Sequence, residues 1–173
     1  MTSSKKRPQK AIIFARVSSK NQEEGYSLIA QVSRMQEYCK RNGLEVVYEF
    51  QLIETSISAN RAFFCNMIEC IKKQEEPIAL VVDGIDRLQR SFKEIPIFKE
   101  LRMSGKLALH FIKETQVLDK KSNSAQLMAY QIHALIASNY ATTISDNVKR
   151  GFGEKRRNGE SLDNINLPCY FAV

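Results

Sequence analysis

The stretch Ala11-Ile-Ile-Phe-Ala-Arg-Val-Ser-Ser-Lys-Asn-Gln22 decides the fold. Its apolar start reads as a buried strand, Ala11 to Val17, and it is far too short to cross a membrane. The run is broken by a charge, Arg16, and one residue later come two serines, Ser18 and Ser19. A strand that is buried for most of its length therefore surfaces with an arginine and a serine just where it leaves the core.

Outward from this strand the pattern alternates. Residues 27–43 read as an amphipathic helix, with Leu28, Val32, Met35 and Cys39 at helical spacing and Gly43 as the stop. Residues 44–50 (LEVVYEF) read as a second strand. A second helix over 61–74 starts at Arg61 and carries Phe64, Met67, Ile68 and Ile71 on one face. IALVV (78–82) is a third strand and LALHFI (107–112) a fourth. Between them Pro96 lies inside a helix-like stretch, which predicts a kink or an interruption there. Strand and helix in alternation predict an α/β domain with a mostly parallel central sheet flanked by helices and right-handed crossovers. Sites in such sheets form beyond the carboxyl ends of the strands, which is where Arg16 and Ser18 fall.

The rest of the chain reads differently. From Ser124 to about Asn158 there is no strand signal, only one long helix with apolar positions along much of it. Leu127, Leu135, Ile136, Ile144 and Val148 would lie partly outside the sheet domain, and that surface asks for a partner chain. The expected organisation is a flexible basic arm over 1–10, the sheet domain over 11–122, the long helix over 123–159, and a tail or the start of a further region over 160–173.

Composition bounds the function. The chain has 173 residues, 43% of them hydrophobic, enough for one domain with its own core. The net charge of +7 favours an anionic partner such as nucleic acid. No apolar stretch predicts a membrane span or a secretory leader, so the expected setting is the cytoplasm, with no membrane association. Cys39, Cys65, Cys70 and Cys169 lack zinc-site spacing and read as reduced packing thiols. His110 lies in a strand and His133 in the long helix, so neither completes a Ser-His-Asp arrangement. There is no Gly-rich phosphate loop and no acidic magnesium cluster, and no cofactor is expected.

The chemistry gathers at the strand ends. Past the third strand, Ile85-Asp-Arg-Leu-Gln-Arg90 places Asp86, Arg87 and Arg90 as Arg16 and Ser18 are placed past the first. With Arg61, four arginines reach toward one edge of the sheet around a serine. Arginine suits a phosphate because its planar fork donates paired hydrogen bonds to anionic oxygens and never loses its charge. Asp86 can orient an arginine or handle a proton. At the end of the long helix, Lys149, Arg150, Lys155, Arg156 and Arg157 form a basic run that fits a nucleic-acid backbone.

Phe14-Ala-Arg-Val-Ser-Ser-Lys-Asn-Gln22 resembles the signature of the serine site-specific recombinases, the resolvase and invertase group. On that resemblance Arg16 is the motif arginine, Ser18 the nucleophile and Gln22 the motif glutamine. Residues 85–90 resemble the second motif, giving Asp86, Arg87 and Arg90, and Ser58 with Arg61 resembles the intervening one. The likeness covers about residues 11–159, and GYSLIAQ (25–31) and NVKRGFGEKRRNG (147–159) resemble the large serine recombinases most. Ala59 and Ala62 stand where the family carries glycine and proline, and Tyr140 and Ala141 where small resolvases carry Glu-Arg. The family implies attack of Ser18 on a phosphodiester of double-stranded DNA, a 5′-phosphoserine intermediate, strand exchange and religation. It also implies a long helix that serves dimer and synaptic tetramer contacts. Bond energy is kept in the covalent intermediate, so no nucleotide cofactor is needed. The alternative is a non-catalytic or truncated recombinase-like module that regulates or interacts. The tail over 160–173 falls where large recombinases pass into a DNA-binding region.

Overall fold

A computed structural model of the chain describes residues 8–18, 25–54, 57–88 and 95–157. Five strands form one sheet: β1 Lys10–Ser18, β2 Glu45–Glu54, β3 Ile78–Val82, β4 Leu107–Phe111 and β5 Gln116–Leu118. Their order is β2-β1-β3-β4-β5. The first four run parallel, and β5 returns antiparallel to β4 through Leu109↔Leu118 and Phe111↔Gln116. Five helices complete the described residues: α1 Gly25–Arg41, α2 Ile57–Lys73, α3 Ile85–Leu88, α4 Ile95–Met103 and α5 Ser124–Arg157.

The pleat of β1 explains the layers. Ala11, Ile13 and Ala15 face α1 and pack with Met35 and Cys39, with Leu28 and Val32 at the edge. Ile12 and Phe14 face the other way, into a larger cluster with Met67, Ile68 and Ile71 of α2 and Phe98 and Leu101 of α4. A strand buried on both faces must be apolar at successive positions, which is the pattern of residues 11–15. α1 ends as Gly43 predicts. At φ +65 this glycine lets the Leu44 amide reach back to the Cys39 carbonyl at 2.9 Å, closing the helix end.

Several details differ from the sequence reading. β2 runs on to Glu54 because β1 continues to Ser18 and pairs with it to the end. α2 begins at Ile57, so Arg61 stands in its second turn and not at its start. Pro96 is the second residue of α4 as described, and residues 89–94 before it lie outside the described residues. β5 has no counterpart in the sequence reading, since three residues show no periodicity.

α5 is 34 residues long, about 50 Å at 1.5 Å per residue. Asn123 and Gln126 cap it reciprocally: the Gln126 amide donates to Asn123 Oδ1 at 2.8 Å and the Asn123 amide to Gln126 Oε1 at 3.0 Å. Its first turns dock on the large cluster through Leu127, Tyr130 and Ala134, with Tyr130 stacked on Phe111 at 5.6 Å. Met128, Ile132, Leu135 and Ile136 lie on the opposite side and are exposed. The side chains of Ile144 and Val148 lie outside the described residues, as do residues 1–7 of the expected arm and the tail over 160–173.

Candidate functional site

The strand order turns back on itself at β1. The chain passes from β1 to β2 on one side, then from β2 to β3 on the other. Ligands in open α/β sheets bind at such a switch point, beyond the carboxyl ends of the two strands. Here those ends carry Arg16 and Ser18 on β1, and Asp86 and Arg87 on α3, which follows β3.

Arg16 joins the two. Its Nε donates to the Arg87 carbonyl at 2.8 Å, and its Nη2 donates to the Asp86 carbonyl. The guanidinium thus spends two donors on the backbone of the second motif. Behind it, Gln31 of the buried face of α1 donates to the Arg16 carbonyl at 3.4 Å. Asp86 pairs with its neighbour, its Oδ2 lying 3.4 Å from Arg87 Nε. That Nε is buried, yet among the described residues it finds no acceptor in hydrogen-bond geometry. The carboxylate of Asp86 therefore compensates its charge at ion-pair distance without a well-formed hydrogen bond.

The remaining predicted residues stand as follows. Ser18 is the last residue of β1, paired in the backbone with Glu54. Arg61 is exposed on α2 and has no hydrogen bond or ion pair among the described residues. Gln22 and Arg90 lie outside the described residues. Toward the end of α5, Lys149, Arg150, Arg156 and Arg157 are exposed; the side chain of Lys155 lies outside the described residues. An open cavity of about 340 Å³, lined by Lys10 and by residues 73–78, sits at the amino ends of β1 and β3, the far end of both strands from Arg16.

The family is legible at this point. Residues 11–161 match the family model described as "Resolvase, N terminal domain". The chain belongs to that family. Solved structures share the fold. The N-terminal catalytic domain of TP901-1 integrase is 20% identical, with a TM-score of 0.55 over 78% of this chain and 98% of that one. A resolvase family site-specific recombinase from Streptococcus pneumoniae is 24% identical, with a TM-score of 0.55 over 86% and 98%. The C-terminal catalytic domain of ISC1926 TnpA, an IS607-like serine recombinase, is 21% identical, with a TM-score of 0.50 over 83% and 99%. A search of curated proteins gave no match.

The resolvase-family chain holds residues near this site that the sequence did not bring forward. Asp83, directly after β3, is almost fully buried at 1% exposure. Arg34 of α1 grips it with both arms, Nε to Oδ1 at 3.0 Å and Nη2 to Oδ2 at 3.1 Å. Lys113 Nζ adds a third contact to Oδ2 at 3.0 Å. Burial pushes the Asp83 carboxyl up, but the hydrogen bonds and charges of Arg34 and Lys113 outweigh it and leave the group below the usual carboxylate range. The signal that could have found it was a lone aspartate following five apolar residues.

Other titratable groups are structural. His110 Nδ1 lies 3.0 Å from Tyr38 Oη, and burial lowers its pKa. Burial pushes the Cys39 thiol up to about 11, which makes it a poor nucleophile. Cys39, Cys65 and Cys70 are free thiols, and Cys169 lies outside the described residues. Among the described residues no group of three metal-ligating side chains comes together, and no helix is long and apolar enough to cross a membrane.

Proposed function

We propose that this chain catalyses site-specific DNA recombination through Ser18. The observation that carries the reading is the Arg16 bridge, which ties the serine-bearing end of β1 to the Asp86–Arg87 turn at the switch point of the sheet. Family membership supports it. In the proposed first step Ser18 Oγ forms a bond to the phosphorus of a DNA phosphodiester, and the bond from phosphorus to the 3′ oxygen breaks. The serine gives up its proton and the departing 3′ oxygen gains one. The freed 3′-hydroxyl, after strand exchange, attacks the 5′-phosphoserine and restores both. Arg87 supplies charge to the phosphoryl oxygens, and Arg61 and Arg90 add to it on the family pattern. Gln22 belongs to the same motif as the serine. Asp86 holds the Arg87 side chain.

In this reading α5 is the assembly element. Its outer stripe of Met128, Ile132 and Ile136 would be covered by a second copy, first in a dimer and then in a synaptic tetramer. Its basic end, Lys149 to Arg157, would run along the DNA backbone and give salt-dependent affinity with little sequence preference.

Covalent trapping tests the proposal. The chain is incubated with a nicked duplex and resolved under denaturing conditions. A protein–DNA adduct is expected, absent in Ser18→Ala and retained in Ser19→Ala. An adduct mapped to Ser19, or none with the unaltered chain, would refute it.

A further inference from the structure

α3 opens at Ile85 with backbone amides that its own first turn cannot satisfy, so the position of its first residues depends on what surrounds them. Yet its Asp86 and Arg87 carbonyls are the acceptors on which Arg16 docks. Something must fix them.

The turn after β4, residues 112–115, grips the segment 82–85 from behind. The Ile112 amide donates to the Val82 carbonyl at 3.1 Å and the Lys113 amide to the Asp83 carbonyl at 2.9 Å. Lys113 Nζ then returns to the Asp83 carboxylate at 3.0 Å. Glu114 Oε1 accepts from the Ile85 amide at 3.2 Å, filling a first-turn donor that the helix itself cannot satisfy. Between them Gly84 is closely surrounded by side-chain ends: a Cβ there would lie 2.7 Å from Asp86 Oδ1, 3.2 Å from Lys113 Cδ and 3.4 Å from Glu114 Oε1, so the Asp86 carboxylate would have to move aside. The turn is itself strained, because Thr115 adopts φ +50, a region that β-branched residues avoid. Strain of this kind persists only where the surroundings over-determine it.

We infer that Lys113 and Glu114 are positioning residues for the phosphate site: with Asp83 and Gly84 they bracket the start of α3 and so set the carbonyls that orient Arg16. The inference rests on the recombinase reading for its functional half. Neither side chain touches DNA in this scheme. Asp83 lies on the α1 side of β3, since Val81 packs with Met35 and Cys39 while Val82 packs with α2 and α4. The bracket therefore acts from the face opposite Arg16.

The test uses the full chain with Lys113→Met, Lys113→Arg, Glu114→Leu and Glu114→Gln. Two readouts run in parallel: amide hydrogen exchange at Ile85 and Arg87, and the rate of adduct formation at saturating DNA. Lys113→Met and Glu114→Leu should speed exchange at these two amides and slow adduct formation about tenfold, as small misplacements do. Exchange in β1 and β3 should be unchanged, and DNA affinity should hold within about twofold, because neither substitution removes a group that binds DNA. Lys113→Arg and Glu114→Gln keep the ammonium-like donor and the acceptor oxygen, and should restore both readouts to near the unaltered level. Exchange at Ile85 and Arg87 equal to that of the unaltered chain would overturn the inference. So would an adduct rate equal to it, or faster exchange spread evenly through the sheet. If the unaltered chain forms no adduct, the recombinase reading fails, while the exchange data still decide whether the bracket exists.

Discussion

Replacing Asp83 by asparagine keeps the shape of the side chain and removes its charge. Three charge-assisted contacts of 3.0–3.1 Å converge on this carboxylate. Contacts to a charged group contribute about 1.5–3 kcal/mol each in isolation, and breaking a fully buried pair costs about 3–5 kcal/mol. The partners moderate that figure. Arg34 and Lys113 are 50% and 48% exposed, so once released they rehydrate instead of remaining as buried orphan charges. Asparagine also still accepts one hydrogen bond. The expected loss is therefore about 2 kcal/mol at pH 7, or about 1 M in the urea midpoint for a slope near 2 kcal/mol/M. The pH dependence has a fixed sign. Asp83 titrates below its ordinary value of 3.8 in the folded chain, so its contribution is present above that pH and fades as pH falls through the lower, folded value. Urea titrations from pH 7 to about pH 3 should show a constant gap between the two proteins down to about pH 4, narrowing below it. A gap under about 0.5 kcal/mol at pH 7, or one that widens on acidification, would refute the reasoning.

Two further outcomes are expected. His110 is held neutral by burial, so its pKa lies below the ordinary 6.5 and the unfolded chain takes up a proton first. Thermal melts should show stability falling as pH drops below about 6.5, and His110→Asn, which keeps a polar partner for Tyr38, should flatten that fall. On α5, Ile132 and Ile136 are 46% and 60% exposed in the single chain, so Ile132→Glu with Ile136→Glu should leave the fold intact. Sedimentation should show the unaltered chain associating and the double variant monomeric; equal masses would remove the assembly role from this stripe.

Much of the fold is legible in the sequence because the physics that builds it is local. Residues 11–15 and 78–82 are apolar at successive positions, which only a strand covered on both faces tolerates. Leu28, Val32, Met35 and Cys39 mark one helix face, and all four pack where their spacing puts them. β5 escapes notice because its three residues are held by pairing with β4, a contact that no local pattern announces. The arginine motifs are visible as residue types at strand ends. The polar partners behind them are not: Arg34, Asp83 and Lys113 are separated by 49 and 30 positions, and only the parallel sheet brings them together.

The same distinction explains how the site is made. The first residues of α3 take their position from three surrounding elements. Arg16 draws on its carbonyls from β1, and the turn after β4 caps and crowds its first residue. From beneath, Ile85 and Leu88 sink into the cluster that also receives Tyr130 and Ala134 of α5. The three supports come from three elements distant in sequence, and each uses a different force: charge-assisted hydrogen bonding, backbone capping and apolar burial. Loss of any one leaves the other two, which is why Lys113→Met should loosen α3 without releasing it. The bridging arginine is the exception. It is the one support that also stands beside Ser18, so replacing Arg16 removes a brace and a site charge together, and its effect on the adduct should exceed that of any bracket variant.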